Sequence, residues 1–112
     1  MDNEHTIGDE VIRQFLSEKL DLIKREYAPR HFIVFGSRAE GLAREESDID
    51  IILVSDRFRE IRFVNRMGHF LNTVHPHVHV DAICYTPEEF EIMMHHPSSF
   101  VRNAVAHGIH VE

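Results

Sequence analysis

Apolar residues recur along this chain with two periods, and the switches between them predict its elements. Val11, Ile12, Phe15, Leu16, Leu20, Ile23 and Tyr27 fall at helical spacing over about five turns. Arg13, Glu18, Lys19, Asp21 and Lys24 take the opposite face, and Pro29 ends the helix. His31-Phe32-Ile33-Val34-Phe35 and Ile51-Ile52-Leu53-Val54 are short apolar runs bounded by Gly, Ser and Asp, as buried strands are. After the polar break Ser55-Asp56-Arg57-Phe58-Arg59, residues Ile61, Val64, Met67, Phe70, Leu71 and Val74 mark a second helix. Its Arg62 and Arg66 are placed on another face, either solvated or reaching towards a triphosphate or an acidic partner.

His75-Pro76-His77 breaks that helix, and Val78 to Tyr85 reads as a third strand. Alternation sets His77, His79, Asp81 and Ile83 on one face of it and Val78, Val80 and Ala82 on the other. Thr86-Pro87-Glu88-Glu89 is a capping box with proline at the first helical position. The helix that follows carries Phe90, Ile92, Met93 and Met94 and ends before Pro97. Ser98 or Ser99 caps a last helix with Phe100, Val101, Ala104 and Val105 inward and Gly108 as its stop. Ile109 to Val111 adds a short edge strand, and Met1 to His5 is expected to be disordered. The pattern predicts an α/β (α+β) fold, one domain over residues 1–112 with helices against a small mixed sheet.

Composition narrows the function classes. A length of 112 residues allows a real but modest core. A net charge of −7 argues against long nucleic acid as a partner, because such binders need a basic face. It leaves room for a small anion carried in with its own cation. No apolar run approaches the roughly 20 residues of a membrane span, and no signal peptide is visible. The single cysteine, Cys84, lies in an apolar strand without an internal partner and suits a reducing cytoplasm.

The stretch between the first two strands carries the chemistry. It reads Gly36-Ser37, the ten residues Arg38 to Ser47, then Asp48-Ile49-Asp50. Asp48 and Asp50 are two apart, so on an extended chain both carboxylates point to one face while Ile49 and Ile51 point into a core. Paired carboxylates repel, and a hard cation such as Mg²⁺ relieves that conflict while leaving room for phosphate oxygens. Gly36 permits close backbone approach, and Ser37 presents a hydroxyl and N–H groups to an anion. His75, His77 and His79 also alternate, but same-face positions lie roughly 7 Å apart, a poor chelate for one tetrahedral zinc. His79 is instead expected near the carboxylates, tuning access or a pKa.

This wording resembles the nucleotidyltransferase superfamily typified by DNA polymerase beta. It is most similar to the minimal nucleotidyltransferase domains of bacteria and archaea, many of which are antitoxins paired with HEPN-domain toxins. Gly41 and Ser47-Asp48-Ile49-Asp50 fit as well. The resemblance implies a polymerase beta-like core in which a third carboxylate on a neighbouring strand completes the metal site. Asp81 fills that place by position and order, giving the triad Asp48, Asp50 and Asp81 on two Mg²⁺ ions. It further implies that Gly36 and Ser37 hold the β- and γ-phosphates of ATP, that Arg38 assists or points to solvent, and that Asp81 takes the acceptor proton.

The reaction implied is transfer of AMP from ATP to a hydroxyl with release of pyrophosphate. The chain ends soon after Asp81, so no second domain is expected to bring the acceptor. In the antitoxin branch the acceptor is a tyrosine of the partner HEPN toxin, a ribonuclease silenced by adenylylation. Two alternatives stand beside this one. The first is a binding module that masks its partner without catalysis. The second is an enzyme modifying a small molecule through a site shared across a homodimer.

Overall fold

The computed structural model describes residues 7–42 and 47–112. The expectation for Met1 to His5 therefore lies outside the described residues, as does the stretch 43–46 within the motif. Helix α1 (Glu10–Tyr27) starts at Asp9, whose Oδ1 accepts the Ile12 N–H at 2.9 Å. It ends at Ala28, which takes the left-handed conformation with φ 42°. Strand β1 (His31–Phe35) follows and passes directly into the short helix α2 (Gly36–Ala39). Strand β2 (Ile49–Val54) returns antiparallel to β1. Helix α3 (Phe63–Val74) then crosses over to β3 (Val80–Tyr85), which runs parallel to β2. Helices α4 (Pro87–His95) and α5 (Phe100–His107) and the two-residue strand β4 (Ile109–His110) complete the chain. The sheet order is β3-β2-β1-β4, a mixed sheet with β3 and β4 at its edges.

Strand alternation divides the core in two. Phe32, Val34, Ile49, Ile51, Leu53, Val80, Ala82 and Cys84 pack with Ile12, Phe15, Leu16, Ile23 and Tyr27 of α1 and Phe70 and Val74 of α3. Ile33, Ile52, Val54 and Tyr85 pack on the other side with Phe90 of α4 and Val101 and Ala104 of α5. The result is three layers, with helices on both faces of the sheet. Among the described residues no helix is long and apolar enough to cross a membrane. Cys84 is buried as expected, and burial pushes its thiol up to about 12.

The capping box at Thr86 is present in full, with Glu89 Oε1 accepting the Thr86 N–H at 2.7 Å and Thr86 Oγ1 accepting the Glu89 N–H at 3.3 Å. Ser99 caps α5. Gly108 ends α5 by close approach rather than by a left-handed turn: its φ is −82°, and a Cβ there would sit 2.8 Å from the Val34 carbonyl oxygen.

Three readings need correction. The polar break after β2 is a 3₁₀ turn (Asp56–Glu60) that buries Phe58 against Tyr27, ring centroids 5.1 Å apart. Strand β3 starts at Val80 rather than Val78, because His75 makes a left-handed turn at the end of α3 and His77 then lies towards α1, its Nε2 3.7 Å from Glu18 Oε2. In α3, Val64 and Met67 are exposed while Arg66 is 5% exposed, the reverse of the expected faces. Arg66 Nε donates to the Ile61 carbonyl at 2.9 Å, and Nη1 donates to the Cys84 carbonyl at 3.1 Å and to Glu89 Oε1 at 2.5 Å. Ile92 of α4 is exposed.

Candidate active site

Register builds the site. Phe35 pairs with Asp50 across β1 and β2, and Asp50 pairs with Asp81 across β2 and β3. Residues paired across a sheet share a face, so Phe35, Asp50 and Asp81 form one row at the end of the α4/α5 side. That side is identified by Ile52 and Ile83, two residues further along each strand and packed with its core. Asp48 stands just ahead of β2, two residues from Asp50. Asp48 and Asp81 are exposed, and Asp50 is half-buried.

Burial raises the Asp50 carboxyl above the ordinary carboxylate range, and the negative charges of Asp81 and Asp48 raise it further. Asp81 and Asp48 therefore both act on the Asp50 carboxyl. Their oxygens suit a hard divalent cation in kind, and the repulsion at Asp50 is the conflict a cation would relieve. Among the described residues, no three His, Cys, Asp or Glu side chains stand close enough together to hold a metal ion as they are oriented.

Gly36 is fixed by its neighbour. Its φ is 81°, in the left-handed region, and a Cβ at this position would overlap Asp50 Oδ2. The turn from β1 into α2 thus lies directly against the Asp50 carboxylate. Ser37 follows in the first turn of α2 and is exposed.

Arg38 does not point to solvent. Its side chain is 7% exposed and reaches across to the other arm of the motif, where Nε donates to the Ser47 carbonyl at 2.7 Å. Its Nη1 donates to Asp9 Oδ2 at 3.1 Å and approaches Asp9 Oδ1 at 3.4 Å. The Asp9 contact with Arg38 was not foreseen from the sequence. An aspartate just ahead of the first periodic run signals a helix start, but nothing local says that it also holds an arginine. Phe35 was read only as core. It lies 6.0 Å, ring to ring, from the half-exposed Phe100, beside a cavity of about 130 Å³ that Gly36 also lines.

The histidines do not gather at the aspartates as a group. His75 forms the end of α3 and His77 lies towards Glu18, while the His79 backbone carbonyl accepts the Ile49 N–H at 3.0 Å, next to Asp50. A cavity of about 620 Å³ lies at the far end of β2, lined by Tyr27, Asp56, Arg57, Arg59 and His69 among others, and none of the three aspartates borders it.

Comparison with curated proteins gives no match. Among solved structures, a crystal structure described as that of "a putative nucleotidyltransferase from Sulfolobus solfataricus" is 22% identical, covers 80% of this chain and 76% of its own, and has a TM-score of 0.45. Residues 11–110 match the nucleotidyltransferase domain family, a span that includes the Gly36-Ser37 turn and all three aspartates. The chain belongs to the nucleotidyltransferase domain family.

Proposed function

We propose that this chain is a Mg²⁺-dependent nucleotidyltransferase that moves AMP from ATP to a tyrosine hydroxyl of a partner protein of the HEPN toxin type, and so acts as its antitoxin. The observation that carries the reading is the direct pairing of Asp50 with Asp81, hard against the Gly36-Ser37 turn. Nucleotidyl transfer needs carboxylates and a phosphate-holding turn within reach of one phosphorus atom, and the nearness of Asp50, Asp81 and Gly36 supports that reading.

Held by Asp48, Asp50 and Asp81, Mg²⁺ ions would neutralise charge on the attacking and leaving oxygens of an in-line displacement. The residues of the chain do the remainder. Ser37 donates its hydroxyl and its backbone N–H to the β- and γ-phosphates, and Gly36 keeps the turn close to Asp50. The acceptor oxygen attacks the α-phosphorus, the bond from that phosphorus to the bridging oxygen breaks, and pyrophosphate leaves. An Asp81 carboxylate oxygen receives the proton of the acceptor hydroxyl.

Openness of the site favours a macromolecular acceptor. Asp81 is exposed on β3, an edge strand, and Asp48 ahead of β2 is exposed as well, so a protruding tyrosine has an approach that needs no cleft. A chain of net charge −7 is also suited to a more basic protein partner.

The test is co-expression with the partner that co-purifies with this chain, followed by mass spectrometry of that partner. The expected result is one AMP on a tyrosine, absent when the chain carries Asp48→Ala. An unmodified partner in a stable complex would instead favour masking without catalysis. AMP found only on small molecules would remove the protein acceptor from the account.

A further inference from the structure

We propose that Arg38 is a positioning residue that fixes Asp48 through the backbone and is held in that task by Asp9. The inference rests on the reading of Asp48 as a metal ligand. It replaces the expectation that Arg38 itself touches the nucleotide.

The geometry runs from one element to the next. The Asp9 Oδ1 that accepts the Ile12 N–H at 2.9 Å belongs to the same carboxylate that takes Arg38 Nη1 at 3.1 Å on Oδ2. The guanidinium then places Nε 2.7 Å from the Ser47 carbonyl. That carbonyl belongs to the peptide unit whose N–H is that of Asp48. A peptide unit is planar, so holding its oxygen also sets the position of the Asp48 nitrogen and Cα. Arg38 is in turn bonded to Ser37. One side chain therefore ties the phosphate turn, the start of α1 and the backbone ahead of Asp48 into a single unit.

Chemistry explains why arginine is used. The link needs two donors at a fixed angle, one aimed at a carbonyl and one at a carboxylate, and the planar guanidinium supplies them where an ammonium does not. The pair is largely dry, with side-chain exposures of 7% for Arg38 and 16% for Asp9, so removing the Asp9 charge disturbs the guanidinium more than loss of a solvated partner would. A guanidinium aimed at a phosphate would present these donors to the open side of α2. Here Nε and Nη1 are directed inward, to protein oxygens.

The proposal separates from direct nucleotide binding by way of Asp9. In Asp9→Asn the amide still caps α1, because asparagine is as good a cap as aspartate, but the Asp9 charge beside Arg38 is gone. The experiment titrates Mn²⁺, without nucleotide, into the wild type, Asp48→Ala, Asp9→Asn, Arg38→Gln, Arg38→Lys and the Asp9→Asn/Arg38→Gln double variant. Paramagnetic resonance counts the bound ion, and thermal unfolding of each variant reports the fold. Outer groups that orient metal ligands typically contribute about 10- to 100-fold in affinity. Asp9→Asn, Arg38→Gln and Arg38→Lys are each expected to weaken Mn²⁺ by that order, with the double variant no weaker than the worse single one.

Arg38→Gln weakening Mn²⁺ while Asp9→Asn does not would overturn the proposal, and so would additive losses or no loss in either. Asp48→Ala keeps the other results distinguishable. If the wild type binds no Mn²⁺, or Asp48→Ala binds it unchanged, the metal reading of Asp48 fails and takes this inference with it. If Asp48→Ala loses the ion and Asp9→Asn keeps it, the site stands and the positioning role alone falls.

Discussion

Gly36 and Asp50 occupy neighbouring space so closely that only the absence of a side chain on one admits the carboxylate of the other. Alanine at position 36 must both adopt a left-handed φ and push the carboxylate aside, so Gly36→Ala is expected to cost about 1 kcal/mol or more. Urea unfolding measures that loss, and transfer should fall with it because Asp50 is displaced. Asp50 has a cost of its own. Burial and the charges of Asp81 and Asp48 raise its folded value above the ordinary 3.8, so the folded chain holds this proton longer than the unfolded one. Stability is therefore lost as pH rises from the ordinary value through the raised one. Asparagine stays neutral and avoids the loss, so metal-free Asp50→Asn should unfold at a higher temperature than the wild type at pH 7. The gap should close in acid, and equal midpoints at both pH values would refute this. The nearness of Gly36 and Asp48 to Asp50 was readable because it depends on spacing along the chain. The direction of Arg38 was not, since it depends on where α1 places Asp9.

At the scale of elements, α3 shows where periodicity misleads. Val64, at 77% exposure, and Met67 are apolar and turned outward, while Arg66 is buried between α3, β3 and α4. A count of apolar positions cannot register that a long stem with a forked head is able to satisfy two carbonyls and a carboxylate at once. Phe63 and Phe58 flank the guanidinium, with centroids 5.4 and 5.9 Å away. Arg66→Ala leaves the Cys84 and Ile61 carbonyls without this donor and Glu89 without its charge partner. We expect it to cost about 2–3 kcal/mol, below the range for a fully buried pair because Glu89 is part-exposed. Glu89 adds a pH signature. Burial raises its carboxyl, but the hydrogen bonds from Arg66 and the Thr86 backbone outweigh it and hold the folded value below the ordinary 4.5. Its contribution is thus present above that ordinary value and lost as pH falls through the depressed one. Acid unfolding curves of wild type and Arg66→Ala should converge towards low pH, and parallel curves would show that the pair is silent. The Thr86 cap and the α5 cap at Ser99 were readable because capping is local. The start of β3 was not, since it depends on His77 and Val78 folding back towards α1.

Over the whole molecule, the sheet order sets Asp50 and Asp81 side by side at one corner. β2 lies inside the sheet and carries Asp50, while β3 lies at the edge and carries Asp81, so the carboxylates sit where a supported strand meets an open one. The α/β character, the number of strands and the mixed sheet followed from alternating periods and short connections. The parallel pairing that sets Asp81 beside Asp50 did not follow from pattern alone. Strand register is a long-range property, and Asp81 was placed by resemblance.

The central claim is transfer of a nucleoside monophosphate at this corner. Its most direct test is incubation of the chain and its co-purified partner with Mg²⁺ and α-labelled ATP, beside the Asp48→Ala/Asp50→Ala variant. Label is expected on the partner with the wild type, with pyrophosphate released in equal amount, and neither with the variant although the complex still forms. Label that persists in the variant, or a stable wild-type complex that releases no pyrophosphate, would contradict it.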